Sequence, residues 1–128
     1  MATQQRLTWL RVKQANDVTV VRFATSRVLD EGPCEATGKQ LFSLVDHEGR
    51  RKLVLDFTGV ERLVSAMLAK IIWLDKRVKA AGGRLALCSL SPALSEVFQT
   101  LRLHQLLNIY GEEQEAMQTF ERAAHKGG

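Results

Sequence analysis

The sequence is poor in the residues from which disulfide frameworks and metal centres are built: it has two cysteines, Cys34 and Cys88, and three histidines in 128 residues. Two cysteines so far apart give neither a disulfide scaffold nor a metal-ligand pair. Cys34 lies near a helix start, where a thiolate is favoured, and otherwise reads as a reduced thiol; Cys88 sits in an apolar run and reads as packing. His47, His104 and His125 fall on or beside different predicted helices, with no H-x-x-H or H-E-x-x-H spacing to bring two imidazoles together. No apolar run has bilayer length, and the opening residues 1–6 lack the hydrophobic core of a signal peptide, so a cytoplasmic protein without a membrane segment is expected.

Charge of one sign is also nearly absent as an excess: 18 basic against 14 acidic residues leave +4. The one dense basic cluster, Arg50-Arg51-Lys52, has no aromatic residue interleaved and reads as a solvated turn rather than a nucleic-acid site. There is no internal repeat and no low-complexity segment. A phosphate loop needs glycines ahead of a helix, whereas Gly82-Gly83 follows one. No G-x-S-x-G elbow exposes a serine nucleophile. With no such motif, neither an enzyme nor a cofactor site is expected, and a small enzyme or nucleotide binder ranks last among the function classes.

What is present is ordinary globular material, 45% hydrophobic and 25% charged, in a length that suits one domain spanning 1–128 with a core of about 7–123. Leu7 to Val12 and Val18 to Phe23 are β-rich and flank Asn16-Asp17, which is turn chemistry, so a hairpin is predicted. A loop from Thr25 to Pro33 should lead into a helix carrying Leu41, Leu44 and Val45 and ending at Gly49. Leu53 to Phe57 is a short apolar run that suits a central strand covered on both faces. From Ser65 to Ala81 runs the strongest helix, with Met67, Leu68, Ile71, Leu74 and Val78 on one stripe and Gly82-Gly83 as its stop. Arg84 to Cys88 is the next strand. Ser91 as N-cap and Pro92 open a helix that buries Leu94, Val97, Phe98 and Leu101. Leu107 to Tyr110 makes a short edge strand, and a last helix starts at Glu112-Glu113, with Ala116, Phe120 and Ala123 inward and Met117 beside them. Trp9, in a strand, reads as core. Alternating strands and helices imply an α/β fold: a mainly parallel mixed sheet with one N-terminal antiparallel strand and about four helices.

Helical geometry alone singles out one surface. At about 100° per residue, Trp73 lies opposite the apolar stripe, with Ala66, Ala69, Lys70, Lys76 and Arg77 around it. An exposed tryptophan among alanines and cations suits a partner interface, unless a loop covers it or it lies flat on its own helix.

Asp56-Phe-Thr-Gly-Val60, with the helix that follows, resembles the STAS domain, the anti-sigma-factor antagonist family. There a strand ends in Asp-Leu-Ser-Gly-Val and the next helix is headed by Asp-Ser-Ser-Gly-Leu-Gly. Aligned without gaps, that head falls on Val64, Ser65, Ala66, Met67, Leu68 and Ala69, and Gly82-Gly83 falls on the family's Gly-Gly. Leu90-Ser-Pro-Ala-Leu94 resembles the start of the family's third helix, and Leu29-Asp30 resembles its Leu-Asp before the first. The likeness runs from about Leu7 to Phe120.

The resemblance implies a signalling module whose partner is an anti-sigma factor that is also a serine kinase. Unmodified, it binds that partner and frees the sigma factor; phosphorylated on Ser65, it lets go. It also implies that Asp30 and Asp56 flank the acceptor, with Thr58 and Ala66 beside it. Val64, Ala66 and Met67 depart from the family's Asp, second Ser and Gly. Ser65 could equally serve as the helix cap, and Thr58 could be a second acceptor or a turn hydroxyl. Met67, Ala69, Lys70, Trp73 and Arg77 are the expected partner surface. A scaffold that is never phosphorylated and assembles with copies of itself is the alternative. Neither nucleic acid nor membrane is expected as a partner.

Overall fold

The computed structural model describes the backbone of residues 10–23 and 31–127 and the side chains of 10–23 and 35–120. Trp9, Leu29 and Asp30 lie outside the described residues, as do the side chains of Cys34, Ala123 and His125. Five strands form one sheet in sequence order: β1 (Leu10–Ala15), β2 (Val18–Phe23), β3 (Lys52–Asp56), β4 (Arg84–Cys88) and β5 (Asn108–Tyr110). The hairpin β1–β2 is antiparallel and every later pairing is parallel. Four α-helices are described: α1 (Glu31–Asp46), α2 (Ser65–Ala80), α3 (Pro92–Thr100) and α4 (Glu113–Gly127).

The hairpin turn is the two residues Asn16-Asp17, so β1 runs to Ala15, three residues beyond the expected Val12. Asn16 takes φ +59°, a left-handed conformation that asparagine tolerates better than most residues. Helix α1 begins at Glu31, inside the expected loop. Pro33 therefore occupies its first turn, where a missing N–H costs no helical bond.

Strand β3 is the middle strand, and its alternation serves two cores. Leu53 and Leu55 belong to the larger cluster, which also holds Leu41, Leu44, Met67, Ile71, Leu74 and Phe98 from the helices. Val54 joins Val18, Val20, Ala86, Ala116 and Phe120 in a smaller cluster beneath α4. A strand covered on both faces has no polar side to alternate with, which is why it reads as a continuous apolar run.

Ser91 caps α3 by accepting from the Leu94 amide at 3.2 Å. The buried face of α3 is narrower than expected: Leu94 and Phe98 are inside, but Val97 and Leu101 are exposed. Leu101 lies past the end of α3, at its C-cap, and Val97 is about 100° around the helix from Phe98, outside the line it makes with Leu94. At the start of α4, the Glu112 amide donates to the Glu115 carboxylate at 3.0 Å, half of a capping box.

The stop of α2 needs each of its glycines for a different reason. Gly82 sits at φ +85°, and the Gly82 and Gly83 amides donate to the carbonyls of Lys79 and Val78 at 3.0 and 2.8 Å. These bonds satisfy carbonyls that the helix end leaves open. At Gly83 a Cβ would stand 2.1 Å from the carbonyl oxygen of Arg51, so only glycine admits the chain running into β3.

One buried residue breaks the apolar stripe of α2. Asp75 is buried, with Oδ2 3.0 Å from the Lys79 ammonium and Oδ1 without a hydrogen-bond partner among the described residues.

Candidate functional site

In an open parallel sheet, ligands and partners meet the carboxyl ends of the strands, where the connections to the helices lie. Here α2, α3 and α4 all start at that edge, after β3, β4 and β5. The connection from β3 to α2 is the longest of the three, and its first residues are fixed. Phe57 is fully buried and its amide donates to the Cys88 carbonyl at 3.0 Å. Thr58 and Gly59 are exposed, with Gly59 at φ +83°, and the Val60 amide closes the turn onto the Phe57 carbonyl at 3.0 Å.

Asp56, at 1% exposure, organises this turn. Its Oδ1 accepts from the Thr58 amide at 2.9 Å and from the Thr58 hydroxyl at 2.5 Å, and its Oδ2 accepts from Arg22 Nε at 3.2 Å. Arg22 also reaches Glu113 at the head of α4 at 3.2 Å, and Lys13 meets the same carboxylate at 3.3 Å. Burial by itself would raise the Asp56 pKa; the Thr58 hydrogen bonds and the Arg22 charge outweigh it, and the carboxyl is held below its usual value. The Arg22 pKa is raised, chiefly by the Asp56 charge. Beyond them, burial pushes the Cys88 thiol up to about 12, which leaves it an inert packing group.

A carboxylate whose folded pKa lies below its unfolded value of about 3.9 stabilises the fold above that pH and loses the contribution as pH falls through the folded value. Part of the stability is therefore expected to disappear below about pH 4. In Asp56→Asn the acid-induced fall of the urea midpoint between pH 5 and pH 2.5 should be shallower than in the parent. Parallel curves would show that this carboxylate stays out of the acid transition.

Ser65 is the first helical residue of α2, not its cap. The N-cap is Val64, in extended conformation (φ −75°, ψ 157°), and no side chain caps the helix. The Val64 carbonyl accepts from the amides of Met67 and Leu68 at 2.9 and 3.2 Å. Ser65 and Ala66 are exposed, and the Ser65 hydroxyl takes no hydrogen-bond partner among the described residues. The first turn carries no acidic side chain, so nothing offsets the positive end of the helix dipole there.

Along α2, the residues expected to face a partner divide. Trp73 is 59% exposed, with the Lys76 ammonium 5.4 Å from its ring centre. Ala69 is exposed beside it, and the Arg77 guanidinium lies 4.7 Å from the Phe42 ring of α1 while pairing with Asp46 at 2.5 Å. Met67 does not belong to this surface. It is fully buried, because position 67 falls on the same side of the helix as Ile71, Leu74 and Val78. Lys70 is only half free: its stem crosses α1 at Gly38, where a Cβ would stand 2.5 Å from its Cδ, and its ammonium pairs with Glu35 at 3.5 Å.

Asp56 and Thr58 are thus joined directly, and both lie on the connection that leads to Ser65. Arg22, which pairs with Asp56, and Glu113 and Lys13, which extend the cluster from Arg22, were not anticipated. A lone arginine near the end of the otherwise apolar strand Val18–Phe23, beside a strand ending in Asp56, was the available signal. The Arg50-Arg51-Lys52 cluster is largely neutralised, Arg50 by Glu48 at 3.2 Å and Lys52 by Asp17 at 2.6 Å. Among the described residues no group of His, Cys, Asp and Glu is placed to hold a metal ion, and no helix is long and apolar enough to cross a membrane.

Comparison with known proteins agrees with this architecture. The family model described as STAS domain matches residues 10–116. An anti-sigma factor antagonist by name, BtrV of Bordetella bronchiseptica, is 27% identical over 96 residues, covering 75% of this chain and 82% of its own. The structure of an anti-sigma-factor antagonist (STAS) domain protein from Planctomyces limnophilus superposes with a TM-score of 0.77 at 29% identity, over 86% of this chain and 96% of that one. The Bacillus cell fate determinant SpoIIAA in its phosphorylated form superposes with a TM-score of 0.66 at 18% identity, over 87% and 98% of the two chains, a likeness of fold.

Proposed function

We propose that this chain, which belongs to the STAS domain family, is a cytoplasmic anti-sigma-factor antagonist whose partner is an anti-sigma factor with serine kinase activity, and that Ser65 is its switch. The observation that carries the reading is Ser65: exposed, without a hydrogen-bond partner for its hydroxyl among the described residues, and first in a helix that no side chain caps. A phosphate there would meet unpaired amides and the positive dipole end, so the fold would tolerate it. The same phosphate would bring nearly two negative charges to the surface that a partner must dehydrate. Modification could therefore reverse binding and leave the domain folded. Asp56 acts on this site as a positioning residue, through the Thr58 turn.

The test is mass spectrometry of the protein recovered from its own cell, before and after stress, with the co-purifying proteins identified. Phosphate on Ser65 that rises and falls with condition, and a kinase-type partner held only by the unmodified form, support the reading. Persistent absence of phosphate would transfer it to the scaffold alternative, which Val64, Ala66 and the buried Met67 at the altered helix head favour.

Trp73 is proposed as an anchor of the partner surface. Trp73→Ala should leave the melting temperature nearly unchanged, since the ring covers little of the core, and weaken partner binding by about 2 kcal/mol, as truncated aromatic anchors do. Titration calorimetry against the identified partner measures the second effect. A large fall in melting temperature would instead make Trp73 a structural residue.

A further inference from the structure

The sheet ends at β1, whose only strand neighbour among the described residues is β2. The outer backbone N–H and C=O groups of such a strand are a template for one more. The two sides of this edge differ in chemistry. On the α1 side, Leu10 and Val12 form one wall of a groove of about 670 Å³, with Phe42, Lys39 and His47 across from them. Val12 is 46% exposed there. Both acids of the groove are already engaged, Asp46 by Arg77 and Glu48 by Arg50.

The opposite side is cationic. Arg11 stands directly across the ladder from Arg22, and these two with Lys13 and Val20 line a hollow of about 210 Å³. Asp56 and Glu113 serve Arg22, and Glu113 also serves Lys13, so among the described residues no carboxylate pairs with Arg11. Like charges directly opposite across a ladder are destabilising. Among the described residues the hairpin therefore keeps a demand for negative charge at Arg11 on this side and open apolar contact at Val12 on the other.

We infer that β1 is a strand-addition site for an extended partner segment that alternates apolar and acidic residues. Side chains of a strand alternate between faces, so one register sends every apolar residue toward Val12 and Phe42 and every acid toward Arg11 and Lys13. A second copy of β1 is excluded as the occupant by the same charges, because Arg11 and Lys13 would meet their own kind. Ser65 lines neither side of this edge, although Arg22 is shared with the Asp56 turn, and the inference holds whether or not that serine is modified.

The test titrates the full-length, isotope-labelled protein with a capped eight-residue peptide alternating valine and glutamate. Backbone amide shifts and slowed amide exchange should centre on Leu10 to Ala15, with side-chain shifts at Val12 and Phe42. Three control peptides should bind at least tenfold more weakly: one with lysine for glutamate, one of scrambled order, and one with alternate amides N-methylated. Arg11→Glu should weaken the glutamate peptide about tenfold without lowering the melting temperature, since it also removes the like-charge pair with Arg22. Saturating peptide without change in the β1 amides would overturn the inference. So would equal binding of the scrambled or N-methylated peptide, which would reduce the effect to simple charge attraction.

Discussion

Replacing Phe57 with alanine is expected to cost about 4 kcal/mol of folding stability. Phe57 is fully buried just past the end of the central strand. Its ring is 4.9 Å from that of Phe23 at a 38° tilt and 6.5 Å from that of Phe98, edge-on. It therefore ties the hairpin to α3 across the sheet, and its removal leaves a cavity walled by two rings attached to different elements. Neither can follow without moving its own strand or helix, so the void stays open and the cost approaches the upper part of the range for buried phenylalanine. A small domain has roughly 5–15 kcal/mol in total, so the variant should be largely destabilised at growth temperature. Urea denaturation measures the loss. A change below about 2 kcal/mol would mean that the three rings are not one packed unit.

The largest effect on binding is expected at Ser65. Ser65→Asp should weaken the complex with the anti-sigma partner by about two orders of magnitude, roughly 3 kcal/mol, because one uncompensated charge is carried into a dehydrated contact. The free protein should be no less stable, since an acid in the first turn of α2 meets the positive dipole end where no other acid stands. Ser65→Ala should keep full affinity and lose phosphate uptake. It should also leave stability close to the parent value, because no side-chain cap bond is present to be lost. Calorimetric binding and thermal melts of the two variants separate these effects. Unchanged affinity in Ser65→Asp would remove the switch and leave the scaffold reading in its place.

The order of elements, the central position of β3 and the stripe of α2 were all legible in the sequence, because each is written in local periodicity. A short apolar run with no helical cap and a repeat at three and four residues are statements about one segment and the solvent around it. Turn and cap chemistry is just as local, and Ser91-Pro92 and Gly82-Gly83 stand where the pattern puts them. The need for Gly83 was not legible in the same way: its missing Cβ makes room for the carbonyl of Arg51, thirty-two positions earlier in the chain.

The candidate site divides along the same line. Ser65 at a helix head and Trp73 opposite the apolar stripe follow from sequence spacing alone. The burial of Met67 follows from the same spacing, whereas the placing of Lys70 across Gly38 depends on how α1 and α2 pack. No pattern within α2 contains that information. The charged lattice at the sheet edge is the clearest case. Lys13, Arg22, Asp56 and Glu113 come from four elements, and only the parallel register of β2 and β3, which sets Arg22 beside Asp56, brings the first pair together. Periodicity determines which face of an element is buried; which charges then meet is a property of neighbouring strands, and tertiary structure alone decides it.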